Sequence, residues 1–203
     1  MNKLILFNGP PRSGKDTAVD YLEENYSVYG LKFASPLHRA ARETITDLVG
    51  YEKCKHYSED AKNDVIPELG SSYRNFCIWL SENFYKPNFG SDIFGRMAAG
   101  RVKDRIASHN RFDTEIHFAC SDSGFAAEAK PVIDVIGAEN VMLVQLYREG
   151  CSFAGDSRNY IDLSEFGIQP WKVINTDIDG YYKTLDYLYE QLTAPCLPAP
   201  QVL

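Results

Sequence analysis

The sequence predicts an α/β fold, a three-layer sandwich in which a central parallel sheet of about five strands carries helices on both faces. Two observations lead to this prediction: short unbroken apolar runs, and segments of helical periodicity that alternate with them along the chain. Unbroken apolar runs are typical of strands buried on both faces, and their alternation with helices is typical of βαβ units. The chain of 203 residues is also long enough for one substantial core.

The expected elements follow from the spacing of apolar residues and from turn and capping signals. Expected strands cover residues 4–7, 29–33, 116–120, 141–146 and 172–174. Expected helices begin near Lys15, Ser35, Ser72, Ser91, Phe125 and Tyr181, and residues 51–70 are expected to form a loop with a short helix. We expect a single domain over 1–192 and a mobile tail over 193–203, because the prolines of this tail cannot continue a helix.

The segment 3–17 is the most informative part of the sequence. An apolar run leads into Gly9, four further residues, and then Gly14 and Lys15 at the start of a helix. Glycines let the backbone turn its N–H groups inward, and these groups form an anion site with the positive end of the helix. The lysine adds a mobile charge for the outer phosphates. The segment therefore predicts a P-loop that binds a nucleoside triphosphate, with Asp16 where the motif usually has Ser or Thr.

Composition narrows the classes of function. A formal net charge of -7 argues against a broad nucleic-acid surface, and no stretch approaches the roughly 20 apolar residues that cross a bilayer. The five cysteines and four histidines show no disulfide, zinc or catalytic spacing, so we expect reduced thiols and structural imidazoles. We expect a cytoplasmic protein whose partners are small-molecule nucleotides, and we expect it to bind neither nucleic acid nor a membrane. Whether the chain forms a homodimer stays open.

Six short motifs occur in order along residues 1–192. They are Arg12-Ser13-Gly14-Lys15-Asp16-Thr17; Lys32-Phe33-Ala34-Ser35-Pro36-Leu37 with Arg39; Arg74 with Trp79-Leu80 and Pro87-Asn88-Phe89-Gly90-Ser91-Asp92; Ser121-Asp122 with Gly124-Phe125 and Glu128-Ala129; Tyr147-Arg148 with Asp156-Ser157-Arg158; and Val173-Ile174-Asn175. Together they resemble the deoxynucleoside monophosphate kinases of tailed bacteriophages, within the P-loop nucleoside monophosphate kinase group. The family usually has an arginine where this chain has Gly124.

The resemblance implies a set of binding residues for two nucleotides and a location in the host cytoplasm if the chain is a phage protein. ATP, the donor, is expected to contact Gly9, Ser13, Gly14, Lys15, Asp16, Thr17 and Asn175. The acceptor monophosphate is expected to contact Arg39, Arg74, Phe89 and Asp92, within a helical region at about 35–110. Mg²⁺ is expected with ATP, and Asp16 and Asp122 are its expected carboxylate ligands.

Catalysis is expected to depend on placed positive charge. Phosphoryl transfer between two anions needs positioning and electrostatic stabilisation, and it needs no nucleophilic side chain. The expected catalytic residues are Lys15, Arg12, Asp16, Arg148 and Arg158. The last two bracket a segment, at about 148–160, that is expected to close as a lid. Each arginine also has a plain interpretation as a surface charge or as one half of a structural ion pair.

The expected reaction is transfer of the γ-phosphoryl group of ATP to a deoxynucleoside monophosphate, which gives ADP and the diphosphate. Two alternatives stay open. One is a P-loop kinase for a non-nucleotide molecule, similar to dephospho-coenzyme A kinase, and the other is a catalytically inactive nucleotide-binding regulator, for which Gly124 is the hint. Asp16 has three open roles, namely magnesium binding, acceptor positioning and balancing of arginine charge. Thr17 either supplies a hydroxyl ligand or caps the helix.

Overall fold

The computed structural model of the chain describes residues 1–110, 114–156 and 158–203, so Ser157 of the expected lid lies outside the described residues. In chain order the helices and strands are β1 (Leu4–Asn8), α1 (Lys15–Asn25), β2 (Val28–Leu31), α2 (Ser35–Val49), α3 (Tyr51–Glu59), β3 (Val65–Ile66), β4 (Ser71–Ser72), α4 (Tyr73–Leu80), α5 (Lys86–Phe89), α6 (Ile93–Asn110), β5 (His117–Cys120), α7 (Ala126–Ile136), β6 (Val141–Tyr147), β7 (Pro170–Ile174) and α8 (Ile178–Thr193). The contacts divide the chain into two units, residues 1–33 with 95–203, and residues 34–94. Within the described ranges, no helix combines the length and apolar character that crossing a membrane requires.

The first unit is built on five parallel strands in the order β2-β5-β1-β6-β7. β1 lies at the centre, where Leu4 is opposite Phe118 on one side and opposite Val141 on the other. Parallel neighbours need crossover connections, and helices in the chain between the strands supply them. The predicted α/β class, with a five-stranded parallel sheet flanked by helices, is therefore confirmed.

Both faces of the sheet are covered. Ile5 and Phe7 belong to the apolar core that α1 and α8 share with the sheet. Leu4 and Leu6 alternate to the opposite face, and all four side chains are 0 % exposed. Because successive residues of a strand point to opposite faces, burial of both sets explains why β1 is an unbroken apolar run.

Tyrosines hold α1 against α8. Tyr21 stacks on Tyr182 with ring centroids 4.3 Å apart. Tyr26 stacks on Tyr189 at 3.9 Å. The hydroxyls of Tyr21 and Tyr26 both donate hydrogen bonds to Oδ1 of Asp186, at 2.8 and 2.6 Å. These contacts fix the direction of the helix that begins directly after the glycine-rich loop.

Residues 201–203 pair with the outer edge of β7. The Lys172 N–H donates to the carbonyl oxygen of Gln201 at 2.9 Å, and the Leu203 N–H donates to the carbonyl oxygen of Lys172 at 2.8 Å. The Ile174 N–H donates to the carbonyl oxygen of Leu203 at 2.9 Å. This arrangement differs from the mobile tail that we expect from the prolines. All of those prolines precede the paired residues, which keep their N–H donors.

The second unit is helical and contains one short hairpin. α2 packs against α3 and α4, and β3 pairs antiparallel with β4. Residues 51–70 thus contain a full helix and a strand, where the sequence predicts a loop with a short helix. The sequence also predicts that the helix from Ser72 breaks near Pro87, but a π-helical turn (Ser81–Tyr85) leads from α4 directly into α5 and the chain stays helical there. Pro87 is the second residue of α5 and directly follows this π-helical turn, where the hydrogen-bond pattern of the helix changes.

Candidate functional site

The carboxyl ends of the parallel strands meet at one edge of the sheet. Gly9 follows β1, Ser121 follows β5, Arg148 follows β6 and Asn175 follows β7. β2 and β5 lie on one side of β1 and β6 and β7 lie on the other, so the strand order reverses at β1, and such a reversal leaves a crevice at the carboxyl ends of the strands. Open parallel sheets bind ligands in such crevices. The sheet therefore gathers predicted site residues from separate parts of the first unit.

The glycine loop, residues 9–14, has no space for side chains at its two glycines. A β-carbon on Gly9 would stand 2.8 Å from the carbonyl oxygen of Leu146. A β-carbon on Gly14 would stand 2.5 Å from Nδ2 of Asn175, and Gly14 has a φ of 104° in the left-handed region. Arg12 also has a positive φ, of 67°, which is uncommon for a residue with a β-carbon. The loop is therefore a tight, strained turn.

Lys15 lies over this loop. Its Nζ donates hydrogen bonds to the carbonyl oxygens of Gly9 at 2.7 Å and Pro10 at 2.6 Å. Burial lowers the pKa of Lys15, and the positive charge of Arg158 lowers it further, while the charge of Asp16 acts in the opposite direction. Two cations thus share the crevice, and an anionic ligand there would relieve their repulsion.

Ser13 carries an unsatisfied polar atom at the bottom of the loop. The residue is 0 % exposed, and its Oγ has no hydrogen-bond partner in the part of the chain that the structure describes. α1 begins just beyond it with Gly14 at the N-cap, which has no side chain to cap the helix. The first N–H groups of a helix have no acceptor within the helix. The glycine loop therefore presents several hydrogen-bond donors that an anion would satisfy.

Asn175 and Tyr181 support the loop from β7 and α8. Asn175 is 7 % exposed, and its Nδ2 donates to the carbonyl oxygen of Ser13 at 2.9 Å. The hydroxyl of Tyr181 donates to the carbonyl oxygen of Gly14 at 3.1 Å. Burial raises the pKa of Tyr181, so this hydroxyl remains a donor at neutral pH. Asn175, predicted to contact ATP, thus lies behind the loop and fixes its backbone.

Asp16 is paired at the start of α1. The Nζ of Lys32 lies 3.0 Å from Oδ1 of Asp16, and the Ser121 hydroxyl donates to the same oxygen at 2.8 Å. Burial raises the pKa of Asp16, but the hydrogen bonds from Ser121 and Lys32 and the charge of Lys32 outweigh it and lower the pKa overall. Asp16 is therefore an ionised, oriented carboxylate, and Thr17 beside it is half-buried.

Asp122 also has partners within the protein. Its Oδ1 accepts a hydrogen bond from the Phe33 N–H at 2.8 Å and one from Sγ of Cys120 at 3.2 Å. Among the described residues, no three His, Cys, Asp or Glu side chains converge as metal ligands. Mg²⁺ in nucleotide sites is held mainly by phosphate oxygens and water, with one or two carboxylates. Asp16 and the neighbouring Thr17 hydroxyl are better placed than Asp122 to supply such ligands. The Oδ1 of Asp122 already accepts hydrogen bonds that connect the end of β5 with the end of β2.

The expected lid, 148–160, is attached to the sheet at both ends. Nη1 of Arg148 donates to the carbonyl oxygen of Arg12 at 3.3 Å. At the other end, Tyr160 stacks on Tyr147 with centroids 4.6 Å apart. The hydroxyl of Tyr160 also donates to the carbonyl oxygen of Leu146 at 2.9 Å. The exposed side chains of Arg148 and Arg12 therefore lie beside the glycine loop.

Arg158 is held by Asp156 in a two-bond pair. Nε of Arg158 donates to Oδ1 at 2.8 Å, and Nη2 donates to Oδ2 at 2.6 Å. The hydrogen bonds from this pair raise the pKa of Arg158, so the guanidinium is permanently charged. Planar guanidinium groups in this geometry also bind phosphate through two parallel bonds. The pair orients Arg158, whose charge acts on Lys15.

The residues predicted for the acceptor lie in the second unit. Arg39 on α2 and Arg74 on α4 are both exposed. The residues directly before them are in contact, because the Tyr73 hydroxyl donates to the carbonyl oxygen of His38 at 3.3 Å. The two helices therefore meet one residue before each arginine.

Phe89 and Asp92 lie close to the end of α5. Phe89 is 48 % exposed and packs in an aromatic cluster with Phe84 and Tyr85, with ring centroids 6.1 and 6.3 Å away. Asp92 is half-buried and follows Gly90, whose φ is 93°. Packing against Phe84 and Tyr85 explains the position of Phe89 within this unit.

Sequence reasoning assigns no role to three residues that shape the site. Ser121 directly follows the predicted strand 116–120, and Lys32 lies near the end of the predicted strand 29–33, so the position of these two partners of Asp16 at the carboxyl edge was an available signal. Tyr181 gives no such signal, because in the sequence it belongs to the apolar face of α8.

Comparison with known proteins does not assign this chain to a family, so its function is inferred from the geometry of the site. No protein-family model and no curated protein matches the chain.

Proposed function

We propose that the chain is a P-loop kinase that transfers the γ-phosphoryl group of ATP to a deoxynucleoside monophosphate. The observation that carries the proposal is the glycine loop itself. It combines an uncapped helix start, a buried Ser13 Oγ without a partner in the described residues, and a Lys15 ammonium that rests on loop carbonyls. Its place at the reversal point of a parallel sheet supports a P-loop NTPase sandwich.

The donor phosphates would lie on the glycine loop. The N–H groups at the start of α1 and the hydroxyl of Ser13 would donate hydrogen bonds to them. Lys15 would leave the carbonyl oxygens of Gly9 and Pro10 and bind the outer phosphates, a short movement for a flexible side chain. Asn175 and Tyr181 would keep the backbone of the loop fixed during this exchange.

The reaction would need no nucleophile from the protein. An oxygen of the acceptor phosphate forms a bond to the γ-phosphorus, and the bond from that phosphorus to the β,γ-bridging oxygen breaks, so that ADP leaves with the electron pair. The protein must bring two anions together and stabilise charge on the transferring oxygens. This requirement accounts for the collection of cations at the crevice, namely Lys15, Arg12, Arg148 and Arg158.

Magnesium would accompany the ATP phosphates and neutralise part of their charge. The hydroxyl of Thr17 and the carboxylate of Asp16 are the groups at the helix start that would hold it, directly or through water. Asp16 is already ionised and oriented by Ser121 and Lys32. Lys32 would then be released toward other anions in the crevice.

The acceptor would be bound through Arg39 and Arg74. Guanidinium groups on two touching helices suit a phosphate monoester, because each can make two parallel hydrogen bonds. Phe89, which is 48 % exposed, is the aromatic residue that would stack on the base, and aromatic rings stack on any base. The choice of deoxynucleotide as acceptor follows from the resemblance of the sequence motifs, with Asp92 as a candidate polar contact.

A coupled assay for ADP over a panel of monophosphates tests the proposal. We expect ADP formation only when an acceptor such as dTMP, dGMP or dCMP is present. Lys15→Met should reduce turnover at least about a hundredfold, because it removes a transition-state charge. Lys130→Met, which breaks an exposed pair with Asp134, serves as the matched control and should leave turnover unchanged.

Three outcomes would contradict the proposal in different ways. Equal ADP formation with and without acceptors would indicate an ATPase. Turnover only with phosphorylated non-nucleotides would indicate a metabolite kinase. Binding of ATP by calorimetry with no transfer to any acceptor would indicate a regulatory nucleotide-binding protein.

A further inference from the structure

Two side chains hold the Asp16 carboxylate, and they differ in how easily they can move away. Both contact Oδ1, which lies 3.0 Å from the Nζ of Lys32 and accepts a hydrogen bond from the Ser121 hydroxyl at 2.8 Å. Ser121 is 3 % exposed and directly follows β5. The side chain of Lys32 is 51 % exposed, and its ammonium group ends a flexible aliphatic chain. Ser121 is therefore a fixed partner of Asp16, whereas Lys32 is a mobile one.

The backbone of Lys32 is fixed through one peptide group. The carbonyl oxygen of Lys32 accepts a hydrogen bond from Nη2 of Arg101, on α6, at 2.6 Å. The N–H of the same peptide group belongs to Phe33 and donates to Oδ1 of Asp122 at 2.8 Å. Because both polar groups of this peptide are held, the α-carbon of Lys32 can keep its position while the side chain rotates. Departure of the ammonium from Asp16 therefore requires no backbone rearrangement.

Several carboxylates attract the Lys32 ammonium. Partial burial lowers the pKa of this group, but the hydrogen bond with Asp16 and the charges of Asp16, Asp122 and Asp20 outweigh it and raise the pKa overall. The ammonium is therefore charged at neutral pH. When it leaves Asp16, it remains attracted by Asp122 and Asp20, so the first unit offers it a second favourable position.

The carboxylate of Asp16 is open to a cation from solvent. Its side chain is 70 % exposed, and Lys32 and Ser121 contact the same one of its two oxygens. An exposed ion pair contributes little stability, so a doubly charged ion can replace the ammonium group. Mg²⁺ that is bound with nucleotides takes most of its ligands from phosphate oxygens and water. A single carboxylate paired with an ammonium group is therefore a weak site for Mg²⁺ until phosphates are present.

We infer that Lys32 is a displaceable counterion of Asp16, which yields the carboxylate to a divalent cation only when nucleotide phosphates arrive with that cation. Lys32 thereby determines how strongly metal binding depends on the nucleotide. Without Lys32, the charge of Asp16 would attract metal ions in the absence of nucleotide and would repel metal-free phosphates. Arg101 is a positioning residue, because it acts through the backbone of Lys32. The inference rests on the proposed function only for the phosphate site on the glycine loop.

Manganese titration of the nucleotide-free chain, with free Mn²⁺ measured by electron paramagnetic resonance, tests the counterion directly. Lys32→Met should bind Mn²⁺ about fivefold more tightly than the parent chain, because the competing charge is lost. The double variant Lys32→Met with Asp16→Asn should lose this gain. Lys130→Met is the matched control, since the Nζ of Lys130 lies 2.7 Å from Oδ2 of Asp134 in another exposed pair. This control should leave Mn²⁺ binding unchanged.

Calorimetric titration with ADP, once in excess Mg²⁺ and once in EDTA, measures how nucleotide affinity depends on metal. The metal-free dissociation constant divided by the Mg²⁺ dissociation constant should rise about fivefold in Lys32→Met, since only Mg²⁺ then neutralises Asp16. Arg101→Gln should raise this ratio by a smaller factor. In the Lys32→Met background, Arg101→Gln should cause no further change, because a residue that acts through Lys32 has no effect once the ammonium is removed. A purely structural effect of Arg101 would persist in both backgrounds.

The outcomes separate this inference from the proposed function. Equal Mn²⁺ affinity of Lys32→Met and the parent chain, an equal gain in Lys130→Met, or an unchanged ratio for ADP would overturn the inference. Failure of ADP to bind under either condition would overturn the phosphate site instead, and the manganese titration would then decide the inference alone. A chain that binds ADP with the expected metal dependence but transfers no phosphate would keep the inference and contradict the kinase proposal.

Discussion

Arg158 lies directly over Gly124. A β-carbon on Gly124 would stand 2.6 Å from Cδ and 3.0 Å from Cγ of Arg158. The absence of a side chain at Gly124 thus leaves space for the side chain of Arg158. The kinases that the chain resembles usually have an arginine at the position of Gly124. In the proposed mechanism the guanidinium of Arg158 supplies positive charge beside position 124, and its side chain fills the space that a side chain at this position would need.

Gly124→Ala should displace Arg158 and lower kcat by about tenfold to a hundredfold, because small misplacements of catalytic groups are costly in phosphoryl transfer. ATP affinity should change little. Steady-state kinetics with saturating acceptor measures the effect. Gly100→Ala is the control, since a β-carbon there meets nothing within 4 Å. Equal kcat values for the two variants would mean that Arg158 has no part in the reaction.

Gly14→Ala should reduce ATP affinity as well as stability. The added β-carbon would overlap Nδ2 of Asn175, whose bond to Ser13 holds the glycine loop, and the φ of 104° adds backbone strain. Gly50→Ala isolates the strain, because Gly50 has a φ of 82° and open space around its α-carbon. We expect each variant to lose roughly 1–3 kcal/mol of unfolding free energy from backbone strain. Only Gly14→Ala should weaken ATP binding in calorimetric titrations, and equal affinity in both would contradict the role of Asn175.

The sheet was largely predictable from the sequence, because its signals are local. The apolar run before Gly9 and the apolar run of β6 are buried on both faces of the sheet. Strands buried in this way consist almost entirely of apolar residues, so the local composition predicts them. The start of α1 at Lys15 was also predictable, since the glycine at its N-cap is part of the loop motif.

Other features depend on contacts between distant residues, and the sequence does not contain a local signal for them. The pairing of 201–203 with Lys172 is set by the free edge of β7 and not by the prolines that precede it. The position of Arg158 over Gly124 depends on how the segment after β6 returns to the crevice. The same holds for Tyr181, whose hydroxyl reaches Gly14 only because α8 packs against α1.

Arg39→Lys and Arg74→Lys should each raise the KM for the acceptor about tenfold or more while the KM for ATP stays unchanged. Lysine keeps the charge but cannot make two parallel hydrogen bonds to one phosphate. Initial rates over a range of acceptor concentrations give the two constants. Arg105→Lys is the control, because this arginine lies 4.2 Å from the ring centroid of Tyr29 in the first unit. A rise in the KM for ATP alone would place these arginines at the donor.

Protonation of His117 should destabilise the fold in mild acid. The residue is 8 % exposed at the start of β5, and its Nδ1 is buried without a partner in the described residues. Burial lowers the pKa of His117, and the positive charges of the Met1 amino group and Lys3 lower it further. The unfolded chain therefore binds this proton more readily than the folded chain. Its contribution to stability is full above the unfolded pKa of about 6.5 and is lost as the pH falls below that value.

Urea unfolding between about pH 7.5 and pH 5.5 measures this effect. His117→Gln should make the unfolding free energy less dependent on pH over this interval. His56→Gln, at an exposed position on α3, should keep the dependence of the parent chain. Parallel curves for all three proteins would show that other groups cause the loss of stability in acid.

The pairing of residues 201–203 with β7 has a consequence for the behaviour of the protein at high concentration. Free backbone groups on an outer strand are a template for strands from other molecules, and thus for aggregation. Here Lys172 and Ile174 already have their hydrogen-bond partners within the same chain. Proteolytic removal of this short segment would expose the ladder of β7, and self-association of the clipped protein should follow.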